Sequence, residues 1–415
     1  MKFVADFHIH SKYARATSQQ MDVEHLSYWA EKKGILVLGT GDFTHPEWLS
    51  ELKQRLEPAE PGLFKVKNSE NKTRFILTSE ISCIYSKTGK VRKIHVIIFA
   101  PDFETVEKIN THLAWIGNLK SDGRPILGMD AKELVKIALD ANKNSVIIPA
   151  HIWTPWFSLF GSKSGFDSIQ ECFEDYSQYI YAMETGLSSD PPMNWRLSSL
   201  DKITLISNSD SHSPSRIGRE ANVFDTEISY PSIVEALKSK DAQKFLYTIE
   251  FFPQEGKYHY DGHRNCNISY SPQETKKTGG ICPVCGKPLT IGVLNRVEQL
   301  ADREQGFVPE NTIPFKSLIP LAEIIGEAMN VGTNTKSVSE EYEKLIKSFE
   351  NEIKILLEAP KEQLETITIP EVAEGIIRVR QGNVFIEPGY DGVYGKIRIF
   401  SKGEQKDLSS QKTLF

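Results

Sequence analysis

Runs of β-branched and aromatic residues alternate with amphipathic stretches over the first half of the chain. Seven runs read as strands: 2–7 (KFVADF), 34–39 (GILVLG), 74–79 (RFILTS), 93–100 (KIHVIIFA), 144–150 (NSVIIPA), 179–184 (YIYAME) and 202–208 (KITLISN). Between them, stretches such as 23–34 and 131–144 carry apolar residues three and four apart, as one face of a helix requires, and Gly34 predicts where the first of these stops. This alternation predicts an α/β fold of repeated βα units around a parallel sheet or barrel over residues 1–235. Seven strands come close to closing a barrel.

The pattern changes twice further on. Residues 257–270 (KYHYDGHRNCNISY) and 281–290 (ICPVCGKPLT) are polar and turn-rich, with too little apolar content for a core of their own, and predict a small metal-held module within 236–300. Residues 316–330 and 339–358 return to helical spacing, so 301–385 reads as a helical domain. After it, 386–400 reads as a β-hairpin around a Gly-rich turn, and 401–415 as a polar tail ending in Leu414 and Phe415.

Composition narrows the function. No apolar run approaches the roughly 20 residues of a membrane span, which excludes a membrane protein. Residues 1–12 have no leader pattern, so an intracellular location is the expectation. Five cysteines, three of them close together (Cys266, Cys282, Cys285), point to a metal rather than a disulfide framework. The net charge of −6 does not by itself suggest a nucleic-acid binder, but it omits bound cations, which would make the mouth of a metal site positive.

The informative feature is where ionisable residues fall relative to the strands. His8 and His10 follow the first strand, two apart and so on one face of an extended chain. Asp42 and His45 follow the second, Glu80 ends the third, His95 lies in the fourth, His151 ends the fifth, and Asp210 and His212 follow the last. Strand ends are where barrels collect catalytic groups. Histidine and carboxylate without thiolate suit Zn, Mn or Fe in a catalytic site. Asp42, Glu80 and Asp210 supply too little negative charge to neutralise several divalent ions, and the surplus favours an anionic substrate such as a phosphate ester.

This set of residues, in this order, resembles the polymerase-and-histidinol-phosphatase (PHP) family, whose members are distorted seven-stranded βα barrels with a trinuclear metal site. The resemblance covers roughly residues 1–230. It implies that His8, His10, Glu80 and Asp210 hold one ion, that Glu80 bridges to a second on His95 and His151, and that a third rests on His45 and His212. Many members place an Asp about six residues after the HxH pair, where this chain has Ala16; Asp42 is the substitute ligand. The resemblance implies two or three divalent ions, with Zn ahead of Mn or Mg. Motifs 259–266, 282–303 and 387–400 resemble a subgroup of the family that joins the barrel to a zinc module and a helical domain. That subgroup's activity is nicking of DNA on the 5′ side of a deaminated base (uracil, hypoxanthine, xanthine) or an abasic site. Two rival readings are a PHP phosphatase for a small phosphomonoester and a non-catalytic repair or replication scaffold.

In the module, Cys282 and Cys285 form a two-residue-spaced knuckle with Gly286 relieving the turn. Cys266 is a third ligand to a structural zinc, and His263 is the fourth, with His259 competing. Cys83 and Cys172 read as buried free thiols. For a damaged DNA partner, the loops carrying Trp153, Trp156 and Phe157 and Asn194, Arg196, Arg216 and Arg219 offer stacking faces, a base-reading amide and phosphate contacts. Gln411, Leu414 and Phe415 resemble the start of the peptide that docks repair enzymes on the sliding clamp.

Overall fold

The protein is described from a computed structural model covering residues 1–401 and 404. The tail positions Gln411, Leu414 and Phe415 lie outside the described residues. The fold is mixed α/β with a central sheet. Among the described residues no helix is long and apolar enough to cross a membrane.

All seven predicted runs form strands: β1 (Lys2–Asp6), β2 (Val37–Gly39), β3 (Arg74–Lys87), β4 (Lys90–Ala100), β5 (Val146–Pro149), β6 (Ala182–Glu184) and β7 (Thr204–Ile206). β2 runs parallel between β1 and β3, through Asp6 opposite Leu38 and Leu38 opposite Phe75. The expectation of parallel neighbours throughout is corrected at β3 and β4. These form one long antiparallel hairpin, from Leu77 opposite Ala100 to Lys87 opposite Lys90, and β4 pairs antiparallel with β5. The turn is Thr88-Gly89, at φ 51° and 74°, and two successive positive φ values make the tight reversal that twisted antiparallel strands require. β6 and β7 pair in parallel. Ile152 N–H donates to Glu184 O (3.1 Å) and His10 N–H to Ser211 O (2.9 Å), tying the β5 end to β6 and the β7 end back to β1.

Alternation along β1 sends Phe3, Ala5 and Phe7 inward onto Phe99, Ile148, Ile206 and Phe224. The Phe7 and Phe99 rings lie 5.1 Å apart. Val4 and Ile9 face the opposite way, into the layer of helices. In that layer α1 (Val23–Lys33) starts at Asp22, whose carboxylate accepts from His25 N–H, and stops at Gly34 in the left-handed region (φ 86°).

The sheet continues with β8 (Ala221–Asp225) and, past residue 235, with β9 (Phe245–Glu250). At its end Glu220 and Glu250 are wholly buried. Burial pushes the Glu250 carboxyl up to about 8 from 4.5, despite hydroxyl donors on Thr248 and Thr185. Between 4.5 and about 8 the folded chain therefore keeps a proton that the unfolded chain has released, and stability falls as pH rises through that window. Glu250→Gln cannot ionise. Its melting temperature is expected to decline less between pH 5 and 8 than that of the wild type, and parallel curves would show that Glu250 does not carry the effect.

The two long helical patterns of the carboxy-terminal half are each interrupted. Residues 316–330 open as strand Phe315–Ser317, and Pro320 then starts helix Leu321–Ala328. Residues 339–358 divide into Lys336–Phe349 and Glu352–Leu357, because Glu350 turns to φ 74° and the Asn351 side chain caps the new helix at Lys354 N–H. Helices Lys361–Ile367 and Pro370–Arg380 complete the group. Buried Glu352 joins this group to α1, accepting from Lys33 Nζ (2.6 Å), Tyr342 OH (2.8 Å) and Leu321 N–H (3.0 Å). Strands Phe385–Glu387 and Lys396–Arg398 form the expected terminal hairpin.

Candidate metal centre and histidine–cysteine cluster

Residues that follow strands (His8, His10, His151, Asp210) and two from inside the β3–β4 hairpin (Glu80, His95), where the sequence placed Glu80 at a strand end, form two candidate metal-binding groups that share one carboxylate. His8, His10, Glu80 and Asp210 place ligand atoms within 4.8 Å of one another, and so do Glu80, His95 and His151. Glu80 Oε2 lies 3.5 Å from His8 Nε2 and 3.3 Å from His10 Nε2, while Oε1 lies 2.7 Å from His95 Nδ1 and 3.0 Å from His151 Nε2. Three backbone positions here hold non-glycine residues at positive φ: Asp42 (49°), His151 (30°) and Asp210 (45°). Such conformations persist where the surroundings over-determine them, as functional sites do.

Hydrogen bonding decides which atoms remain free. His8 Nδ1 is held by Glu184 Oε1 at 3.0 Å, and His10 Nδ1 by Asp42 Oδ1 at 2.9 Å. Each carboxylate thereby fixes a ring and leaves Nε2 facing the centre, the usual arrangement behind a metal-ligating histidine. His8 Nε2, His10 Nε2 and Asp210 Oδ1 are buried with no well-directed hydrogen bond, the last two 3.1 Å apart. Buried polar atoms left unsatisfied are costly, so three of them converging on one point fit a cation. The field agrees. Burial alone would lower His8, but Glu184 and Glu80 hold it well above its ordinary value; Asp42 does the same for His10. Burial would raise Glu80, yet His95 and Arg124 hold it well below.

Asp42, His45 and His212 are not brought into a common group. Asp42 is a bracket for His10 rather than a ligand: its oxygens also accept from Ser11 N–H (2.6 Å) and Ser11 Oγ (2.7 Å). His45 stacks on Tyr13 at 4.5 Å, and His212 donates from Nδ1 to the Asp210 carbonyl (2.9 Å) beside the His10 ring. Sequence reasoning missed Glu184 and Arg124. Glu184 ends β6 as Glu80 lies in β3, so the strand-end argument already covered it. Arg124 donates to Glu80 Oε2 at 3.0 Å from a loop without periodicity.

Two substrate candidates are corrected by burial. Trp153 donates from Nε1 to Asn194 Oδ1 (2.8 Å), and Asn194 Nδ2 donates to Asp190 O (2.9 Å), so each satisfies the other inside the core. Arg196 is also taken up, by Glu298 at 2.7 Å. Trp156 remains 44% exposed, its ring 6.1 Å from Tyr258, and Arg216 is exposed.

In the small module His263, Cys266, Cys282 and Cys285 place ligand atoms within 4.8 Å of one another. Cys285 Sγ lies 3.4 Å from His263 Nδ1. Burial opposes ionisation of Cys282, but N–H groups of Cys285 and Val284 lower its thiol to about 6, where thiolate is the form that binds metal. His259 stays outside this group, buried. Cys83 and Cys172 are buried free thiols.

Residues 320–383 match the family model of the MJ0043 C-terminal domain. The uncharacterized protein MJ0043 of Methanocaldococcus jannaschii is 37% identical over 253 residues, which cover 59% of this chain and 31% of that protein, so the chain spans less than a third of this relative's length. The uncharacterized protein YqxK of Bacillus subtilis is 30% identical over 96% of this chain and 99% of its own. Among solved structures, endonuclease Q in complex with a 27-mer duplex substrate with an abasic lesion at the active site aligns at a TM-score of 0.84 and 32% identity, covering 97% of this chain and 98% of that one. The lesion-specific endonuclease PfuEndoQ of Pyrococcus furiosus aligns at a TM-score of 0.86 and 32% identity over 99% of both chains, and by this end-to-end likeness the chain belongs to the endonuclease Q family.

Proposed function

We propose that this chain is a metal-dependent DNA repair endonuclease that hydrolyses the phosphodiester 5′ to a deaminated base (uracil, hypoxanthine, xanthine) or an abasic site. The observation that carries the reading is the convergence of His8 Nε2, His10 Nε2 and Asp210 Oδ1, buried and without a well-directed hydrogen bond, in a chain similar over its whole length to a lesion-specific endonuclease. We read β1 to β7 as the seven-stranded ring of a distorted PHP barrel. His8, His10, Glu80 and Asp210 would hold one divalent ion and Glu80, His95 and His151 a second. The imidazole-rich set favours Zn or Mn over Mg. When bound, such ions acidify water and offset phosphoryl charge. His263, Cys266, Cys282 and Cys285 would hold a structural zinc.

The chain's own residues then divide the work. Asp42 and Glu184 keep the His10 and His8 rings turned inward. Trp156, exposed beside His151, offers a stacking face to a displaced base. Arg124, with 28% of its side chain exposed, lies against Glu80 at the mouth, where a guanidinium meets a phosphate oxygen well. Arg124 also competes with any cation for Glu80. Arg124→Ala is therefore expected to raise KM for DNA about tenfold with a smaller effect on kcat, while calorimetry of the stripped protein shows tighter metal binding. Unchanged KM together with unchanged metal affinity would remove Arg124 from the site.

The direct test incubates the protein and Mn, Mg or Zn with labelled oligonucleotides bearing uracil, hypoxanthine, an abasic site or no lesion. A cut on the 5′ side of each lesion, and none in the undamaged strand, is the expected result. Turnover of a generic phosphomonoester without DNA cleavage would replace this reading with a phosphatase.

A further inference from the structure

A second cleft lies between the barrel and the helical group, bounded by α1, the 213–219 loop and the start of helix Lys336–Phe349, with a volume of about 310 Å³. Its wall collects polar groups that the fold leaves free. Arg216 and Arg264 are the arginines whose side chains have no hydrogen-bond or ion-pair partner among the described residues, and Arg216 lines this cleft. Arg219 stands beside it, using Nε (2.9 Å) and Nη2 (2.8 Å) to hold the carbonyl of Ser209, next to Asp210. Trp29 and Tyr342 line it with rings whose centroids lie 6.5 Å apart, Lys32 Nζ standing 5.5 Å from the Trp29 ring and Lys33 Nζ 5.8 Å from the largely buried Tyr342 ring. The Tyr342 hydroxyl is occupied by Glu352, whereas the Trp29 indole N–H and the Asn334 amide have no partner among the described residues.

Two acids share the cleft. Glu343 is engaged by Lys32. Glu323 is mostly buried, and its carboxyl is raised by that burial although Arg216 and Arg219 oppose the rise. Two guanidiniums outweigh one carboxyl, and a carboxyl beside an amide is chemistry for a base edge or a sugar hydroxyl rather than for phosphate. An anion with a flat ring and hydrogen-bonding edges fits all of these groups. A simple phosphate would use the arginines and leave the exposed part of Trp29 and the Asn334 amide unused. The volume is at the lower end of small-molecule sites, which fall at about 300–1,000 Å³.

We propose that this cleft binds one phosphorylated nucleoside unit, with its phosphate on Arg216 and Arg219 and its base against Trp29 and Tyr342. This deepens the endonuclease reading and rests on it only for the source of the unit, either a nucleotide of the DNA strand away from the lesion or a free nucleotide. Either occupant bears on Asp210 through Arg219 and Ser209.

The test titrates the full-length protein, held in chelator so that no strand is cut, with dAMP, deoxyadenosine or an undamaged ten-nucleotide strand, and reads tryptophan fluorescence. Trp29→Phe isolates the Trp29 signal and keeps a ring in place, and Arg216→Ala alters an exposed side chain that the fold does not use. Saturable quenching by dAMP, absent with deoxyadenosine and weakened about tenfold in Arg216→Ala, supports the site with a free nucleotide as occupant. Quenching by the strand alone, with the same sensitivity, supports it with DNA as occupant. No quenching assignable to Trp29, or quenching that Arg216→Ala leaves unchanged, overturns the proposal. Because binding is read without cleavage, failure of the lesion-nicking assay leaves this result standing, and the converse also holds.

Discussion

Glu80→Gln is expected to nick lesion-bearing DNA at least about a thousandfold more slowly than the wild type, a loss of ~4 kcal/mol at the transition state. Glu80 is the one residue common to both candidate metal-binding groups among the described residues. Its two oxygens face different partners, His8 and His10 on one side and His95 and His151 on the other. Glutamine keeps the shape but removes the charge, and its amide nitrogen must then face imidazole. Metal content measured on the purified variant should fall with activity, while circular dichroism stays that of the wild type. Asp42→Asn provides the contrast: it loosens one ring and is expected to cost about 10–100-fold. Wild-type turnover in Glu80→Gln would sink the mechanism, since no other carboxylate among the described residues faces both histidine pairs.

Much of this site was legible because histidines are few and strand ends are conspicuous. Strands rich in β-branched residues announced themselves, and each ligand fell beside one. The β3–β4 hairpin did not, because Thr88 is β-branched and a poor candidate for φ 51°, so Thr88-Gly89 lacks the Asn-Gly or Asp-Gly mark of a two-residue turn. Glu184 was hidden by abundance rather than by position: acidic residues are common, and only the 3.0 Å contact with His8, across 176 residues, singles it out. Arg124 was hidden in the same way, 44 residues from Glu80. Trp153 and Asn194 misled in the other direction. An aromatic and an amide in loops near a barrel mouth suit a base pocket, but their bond across 41 residues turns both inward, and local sequence carries no mark of it.

Cys285→Ala should divide binding from chemistry. The module around it is built of short elements: strands Asp261–His263 and Ile268–Tyr270 are three residues each, and helix Pro272–Lys277 is six residues long. A four-ligand zinc contributes about 10–16 kcal/mol to folding in small zinc domains, of the same order as the whole stability of an ordinary domain. With one thiolate gone, the variant is expected to lose one zinc per chain and to become protease-sensitive within residues 257–290. The domain of the central sheet should keep its melting transition, because its ligands and core lie elsewhere. The module also carries Arg264, Lys276, Lys277 and Lys287, cations suited to a DNA backbone. Loss of their common scaffold should raise KM for DNA at least about tenfold and flatten the dependence of affinity on salt, with kcat at saturating DNA near that of the wild type. A variant that has lost its zinc and yet binds DNA with wild-type affinity would show that the module holds no part of the substrate; one that has lost kcat instead would place the module at the chemistry.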